Sequence, residues 1–182
     1  MQIEDLSIPG LLLLTPDVFG DNRGIFLERF NRRAFQDHGI NLDFVQDNYS
    51  QSSKGVLRGL HFQVPPFAQD KLVWVTRGEA FDVAVDIRSD SPTYGKWLGI
   101  VLSEDNMQML LVPQGFAHGF VVLSDTLDFC YKTTNYYSRQ HDRGLLWNDP
   151  DIGVEWPVQA PILSEKDRHH PRLRDLEQVQ WE

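Results

Sequence analysis

A single cysteine, Cys130, stands in a chain of 182 residues. One thiol closes no internal disulfide and makes no four-cysteine zinc site, and a chain of this length holds together on core burial alone. Positive charge is scarce as well: 17 Lys and Arg face 26 Asp and Glu, a net charge of −9. Nucleic-acid polymers and anionic membrane surfaces demand a basic footprint, so neither is an expected partner. A small anion held by a few local cations stays open. Long apolar runs are missing too; Leu11–Leu14 falls far short of a bilayer. Met1-Gln2-Ile3-Glu4-Asp5 has no basic stretch leading into an apolar one, so the expected location is the cytoplasm. No Pro-, Gly- or Ser-rich linker and no repeat interrupts the chain, which predicts one domain over 1–182. Hydrophobic content of 41% with 24% charged residues excludes wholesale disorder.

What the chain does have is alternation. Phe81, Val83, Val85 and Ile87 alternate with Asp82, Ala84, Asp86 and Arg88, the pattern of a half-buried strand with both aspartates turned away from the core. Lys71–Arg77, Trp97–Leu102, Met107–Val112, Gly119–Leu123 and Leu127–Thr133 read as further short strands. Turn sequences such as Arg77-Gly78-Glu79 and Pro113-Gln114-Gly115 separate them. One internal segment is helical in pattern, with Asn31 capping Arg32–His38 and Gly39 at its end. Many short strands predict an all-β sandwich or barrel. The segment from Pro150 onward, with its prolines and clustered charges, is expected to wrap that barrel as turns and short helical pieces.

Four segments carry candidate chemistry. In Val56-Leu57-Arg58-Gly59-Leu60-His61-Phe62-Gln63 a bulge at Gly59 would reset alternation and turn Arg58 and His61 into one cavity. The plainer alternative is a surface Arg beside a hydrogen-bonded core His. Pro113-Gln114-Gly115-Phe116-Ala117-His118 resembles the second motif of the cupin β-barrels. Metal-binding cupins have a His-x-His pair in their first motif; here that place reads His61-Phe62-Gln63, with Glu79 the only nearby acid downstream. Two histidines fall short of the usual three protein ligands of a catalytic metal, so a barrel with no metal is expected. Tyr131 shares a strand face with Leu127 and Phe129 and points inward, for packing and a hydrogen bond or for chemistry. Cys130 points the other way without a base partner. In Ser164-Glu165-Lys166-Asp167 a helix-capping role competes with a catalytic one for Asp167.

Together these segments resemble the dTDP-4-dehydrorhamnose 3,5-epimerase family of cupins. Further ordered motifs extend the likeness over nearly the whole chain: Val18-Phe19-Gly20-Asp21-Asn22-Arg23-Gly24, Phe44-Val45-Gln46-Asp47-Asn48, Asn135-Tyr136-Tyr137-Ser138 and Trp147-Asn148-Asp149-Pro150. The resemblance implies a cupin-type double-stranded β-helix, a jelly-roll barrel with a few short helices. It implies a dTDP-linked 4-keto-6-deoxyhexose as substrate, inversion at the two carbons flanking the ketone, and no cofactor. By the same resemblance His61 is the base, Asp167 the acid that orients it, Tyr131 the donor on the opposite face and Lys71 a cation near the ketone. Arg23, Arg58, Gln46, Asp47 and Asn48 match contacts to the nucleotide and its diphosphate. Glu28 matches a carboxylate near the thymidine, and Tyr137 an aromatic that stacks on the base. His118 matches a substrate contact and not a metal ligand. Asp142 falls where many relatives have Glu, and Lys166 where they have Lys. Residues around Phe19–Arg23 reach a neighbouring subunit's site in the family, which implies a homodimer. The alternatives are a mono-epimerase of a dTDP-4-keto-6-deoxysugar, a non-catalytic sugar-nucleotide binder, and a metal-dependent cupin.

Overall fold

Short strands with branched and aromatic residues on both faces cannot bury themselves singly; they must stack in two layers. A computed structural model describes residues 1–181 and has that arrangement. The chain begins with β1 (Gln2–Asp5), β2 (Leu12–Thr15), and a hairpin of β3 (Val18–Asp21) and β4 (Gly24–Leu27). After α1 (Arg32–Asp37) come β5 (Gln46–Ser53), β6 (Leu57–Gln63), β7 (Lys71–Arg77), β8 (Glu79–Asp86) and β9 (Trp97–Ser103). Then follow β10 (Met109–Val112), β11 (Phe116–Val122), β12 (Thr126–Thr133), β13 (Asp142–Gly144) and α2 (Glu165–Arg168).

One sheet runs β1-β2-β10-β7-β12-β5, and the other β13-β6-β11-β8-β9. Their facing sides share a core in which Val73, Val75, Leu110, Leu127 and Phe129 meet Ala80, Ala84, Leu102, Phe116 and Phe120. This is the expected all-β jelly-roll barrel. Both outer faces are also covered. Phe35 of α1 packs with Ile40 on Leu72, Trp74 and Met109, and the Asn31 side chain caps that helix by accepting from the N–H groups of Arg33 and Ala34. On the other side, Ile152, Leu173 and Trp181 of the C-terminal segment cover Phe62, Val83, Val85 and Ile87.

That cover overturns one expectation. Asp82 and Asp86 are fully buried, not turned to solvent. The alternation along β8 is real, but each of its faces meets a core: Val83 and Val85 face the C-terminal wrap, while Ala80 and Ala84 face the barrel interior. Buried carboxylates persist only when hydrogen-bonded. Asp86 accepts from Arg88 Nε and Nη2 (2.9 and 2.8 Å), Ser91 Oγ and Thr93 Oγ1 (both 2.6 Å). Burial alone would raise its pKa; these donors outweigh it and hold the carboxyl below its ordinary value.

The expected bulge is present. Across β6 and β11, His61 pairs with His118 and Arg58 with Phe120, so two residues oppose one. Gly59 takes φ 136° there, and a Cβ on it would lie 2.6 Å from the Gly119 Cα. Reciprocally, a Cβ on Gly119 would lie 2.6 Å from the Arg58 carbonyl oxygen. Gly119→Ala, which leaves the backbone conformation unstrained, is expected to force these strands apart and cost about 2–3 kcal/mol. A lowered melting temperature in thermal unfolding checks this; an unchanged one contradicts the close packing.

Candidate active site

Between the sheets lies a cavity of about 580 Å³. The bulge at Gly59 turns both Arg58 and His61 to line it. His61 Nε2 stands 2.6 Å from Asp167 Oδ1. Asp167 arrives from α2, 106 residues later, because Ser164 Oγ accepts its backbone N–H at 3.1 Å and fixes the helix start. The two readings of this acid therefore coexist: its main chain takes the cap and its carboxylate is free for His61.

The electrostatics of the pair follow from burial and partners. Burial pushes the His61 imidazole below its ordinary pKa; Asp167 pulls it back up in part, and Lys71 and Lys166 push it down again. Burial raises Asp167, yet the neighbouring imidazoles of His170 and His61 and the Ser164 hydroxyl prevail and hold it well below the usual carboxylate range. The stable state is an ionised Asp167 beside a neutral imidazole whose Nε2–H donates to it. Nδ1 of that tautomer carries the lone pair, and it has no hydrogen-bond partner among the described residues.

Opposite, on β12 of the other sheet, Tyr131 lines the same cavity while Cys130 packs outward against the α1 layer. Burial raises the Tyr131 pKa, offset in part by Arg58, so the phenol stays protonated at neutral pH. Lys71 enters from β7 and donates from Nζ to the His61 carbonyl at 3.1 Å. Burial lowers its pKa to about 8, against the attraction of Asp142 and Asp82. Arg58 is held by Ser52 Oγ at 3.0 Å and the Gln51 carbonyl at 3.4 Å. His118 Nε2 lies 2.9 and 3.0 Å from the two oxygens of buried Asp82. At the rim, the Tyr137 hydroxyl donates to Asp142 Oδ2 at 3.2 Å, and Lys166 Nζ donates to the same oxygen. Asn48 also lines the cavity, and Gln46 stands behind it, donating to Asn48 Oδ1 at 2.8 Å and accepting from the Tyr137 N–H at 3.0 Å.

Four expected residues lie elsewhere in this chain. Strand alternation turns Asp47 to the outer face, where Lys132 Nζ binds it at 2.8 Å. Phe19 and Arg23 sit on the β3–β4 hairpin, which pairs with neither main sheet; Phe19 is 63% exposed, and among the described residues Arg23 binds only its neighbour Asp21. Glu28, just past that hairpin, accepts from Asn31 Nδ2 at 3.1 Å. Conversely, Asp82 and His170 were not expected here. Asp82 stands on a strand where Ala80 and Ala84 are its same-face neighbours, a small-residue signal for an interior polar group; His170 falls one helical turn after Asp167.

Gln63, where metal-binding cupins have histidine, spends its amide on loop backbones. It donates to the carbonyls of Phe67 (2.6 Å) and Tyr136 (3.1 Å) and accepts from Ser138 N–H at 2.7 Å. His61, Asp167 and His170 do present three ligand-type atoms within 4.8 Å of one another. Two ligands of a tetrahedral ion with bonds of ~2.0 Å sit roughly 3.3 Å apart. The 2.6 Å His61–Asp167 spacing is that of a shared proton instead.

The family model for dTDP-4-dehydrorhamnose 3,5-epimerase matches residues 5–175. The chain belongs to this family. Among its relatives, an Escherichia coli dTDP-4-dehydrorhamnose 3,5-epimerase is 56% identical over 178 residues, covering 97% of this chain and 96% of that one. One from Shigella flexneri is 53% identical over 178 residues, covering 97% and 98%. The solved structure of a dTDP-6-deoxy-D-glucose-3,5-epimerase from Legionella pneumophila, in complex with dTDP-4-keto-L-rhamnose, superposes with a TM-score of 0.94 at 43% identity, covering 99% of each chain. Membership in the epimerase family makes the protein an isomerase and its barrel a cupin barrel. No helix among the described residues is long and apolar enough to cross a membrane.

The buried lysine of this epimerase supplies a direct electrostatic test. Carbon-13 NMR of labelled lysines is expected to find Lys71 titrating near pH 8, against about 10.4 for a free side chain. Because Asp142 helps to hold the proton, Asp142→Asn should move that midpoint lower still. An ordinary lysine midpoint would contradict the burial of this ammonium.

Proposed function

We propose that this isomerase inverts C3 and C5 of dTDP-4-dehydro-6-deoxy-D-glucose, giving dTDP-4-dehydro-L-rhamnose in dTDP-rhamnose biosynthesis. The observation that carries the mechanism is the placement of His61 and Tyr131 on strands of opposite sheets around one cavity. Inversion requires a base on one face of the ring and an acid on the other. Both C3 and C5 lie α to the C4 ketone, so each C–H bond breaks with its electron pair passing into an enolate. Neutral His61 takes the proton through its free nitrogen, and ionised Asp167 stabilises the imidazolium that forms. Lys71, cationic below pH about 8, stabilises the developing enolate oxygen. The Tyr131 phenol then donates its proton to the opposite face, and solvent exchange restores both groups.

Arg58 supplies bidentate donors for the diphosphate, and the rim of Tyr137, Asp142 and Lys166 faces the nucleotide. His118, braced by Asp82, contacts the sugar. Phe19, Arg23 and Glu28 act from the partner's β3–β4 region in a homodimer. The exposed apolar side chains of that hairpin, Val18, Phe19, Ile25 and Phe26, support this arrangement.

Incubation of substrate with enzyme in deuterium oxide, followed by proton NMR, tests the reaction. Deuterium is expected at both C3 and C5 of an inverted product; exchange at one carbon only would make the protein a mono-epimerase. His61→Asn should abolish nearly all exchange while leaving dTDP binding in place, and Tyr131→Phe should spare exchange more than inversion. General acid–base groups contribute roughly 10²–10⁴-fold each, so losses of that size are expected.

Mixing two crippled variants tests the dimer. Arg23→Ala and His61→Asn chains, unfolded together and refolded, would form mixed dimers carrying one intact site if Arg23 acts across the interface. Activity should return to about a quarter of wild type from random pairing. No recovery would assign Arg23 to its own chain's site or to none.

A further inference from the structure

Asp167 has a second imidazole beside it that the mechanism above leaves unused. His170 Nε2 lies 3.4 Å from Asp167 Oδ1, the same oxygen that His61 Nε2 approaches at 2.6 Å. The two rings meet edge to face, 5.6 Å between centroids at 79°. The His170 side chain is only 8% exposed, and its Nε2 is buried without a hydrogen-bond partner among the described residues. An N–H in that position loses its hydration, and the Asp167 carboxylate 3.4 Å away is the acceptor within its reach. The adjacent His169, by contrast, is exposed and engages the Glu165 carbonyl.

The barrel makes room for this ring. Gly144 on β13 pairs directly with His61, and a Cβ on Gly144 would lie 2.2–2.4 Å from His170 Nε2, Cε1 and Cδ2. Any other residue opposite His61 would displace His170. The Leu146 N–H donates to the Pro171 carbonyl at 2.8 Å and pins the chain just beyond it. So the fold fixes the ring from below and from its own C-terminal side.

We propose that His170 is a positioning residue for the His61–Asp167 pair, donating from Nε2 to the carboxylate and thereby limiting how strongly Asp167 holds the proton on His61. The inference rests on His61 being the base. A carboxylate that accepts from two imidazoles is a weaker acceptor for each, so His61 stays neutral, and able to take a proton, to lower pH. The sign is the same if His170 is cationic, since its charge also opposes an imidazolium on His61. Around His170 the titratable and charged groups are His61 and Asp167 on the cavity side. Beyond it Arg143, His169, Asp175 and Glu177 line a second cavity of about 550 Å³, and Asp142 and Lys166 line both cavities. These are of mixed sign, and Asp167 is the acid nearest the His170 ring.

The pH profile of kcat/KM for wild type, His170→Phe and His170→Gln tests this. Phenylalanine keeps a ring over Gly144 without a donor, whereas the glutamine amide returns an N–H near the Nε2 position. The acid limb is expected to rise by about 0.5–1 pH unit in His170→Phe, a roughly three- to tenfold loss of kcat/KM below the limb, with dTDP affinity unchanged. His170→Gln should restore the wild-type limb. An unmoved limb in His170→Phe overturns the proposal, and so does an equal shift in both variants, because the donor would then be irrelevant. If His170→Phe does not fold, His170→Ala is read by the same criteria. Failure of the base assignment is distinguished by His61→Asn: if that variant still exchanges deuterium into the sugar, the mechanism falls, whatever the His170 profiles show.

Discussion

Gly59 of β6 lies against Gly119 of β11 so closely that neither position tolerates a side chain. The bulge at this crossing lets Arg58 and His61, three residues apart, line one cavity instead of opposite faces of a sheet. Without that slip, strict alternation would send one of them into the outer layer beneath the C-terminal wrap. His61 then meets Asp167, Lys71 finds the His61 carbonyl, and Gly144 pairs beside His61 to leave space for His170. A constraint on two glycines thus propagates into the placement of the main ionisable side chains of the cavity wall.

The second organising fact is how charge is distributed. The chain carries −9 overall, yet Arg58, Lys71 and Lys166 converge on one cavity. The acids that line it are committed, Asp167 to His61 and Asp142 to Lys166 and Tyr137, and Asp82 behind them is held by His118. Burial costs Lys71 much of its affinity for a proton, so this wall is responsive to pH in a way that surface lysines are not. Net charge reports on interactions with polymers; a small anion responds to the local set of cations.

Sequence patterns conveyed the architecture well where local rules dominate. The Asn31-capped helix and strand β7 match their expected positions, and the alternation in β8 is genuine. Alternation assigns residues to two faces, however, and does not say what covers each. Asp82 and Asp86 were expected outside because the wrap that buries Val83 and Val85 comes from residues some 70 or more positions downstream. The capping pattern at Ser164 was visible, but not that a cap uses the main chain of Asp167 and leaves its carboxylate available. His170 had no periodic signal at all; its meaning arises only when Gly144 is seen beneath it. Motif resemblance named many of the residues that line the cavity, while Asp47 points outward and the hairpin residues lie away from their own chain's cavity.

The long separation between His61 and Asp167 bears on how the protein is made. The strands of both sheets up to β12 leave the ribosome before α2 does, so a barrel can assemble while His61 still lacks its carboxylate. The same late segment supplies Leu173 and Trp181 to the outer core. Pairing of the imidazole is therefore coupled to arrival of this hydrophobic cover. A nascent or clipped chain without this segment would present a barrel whose His61 is electrostatically unfinished. In this fold one late segment delivers the cover and the carboxylate together.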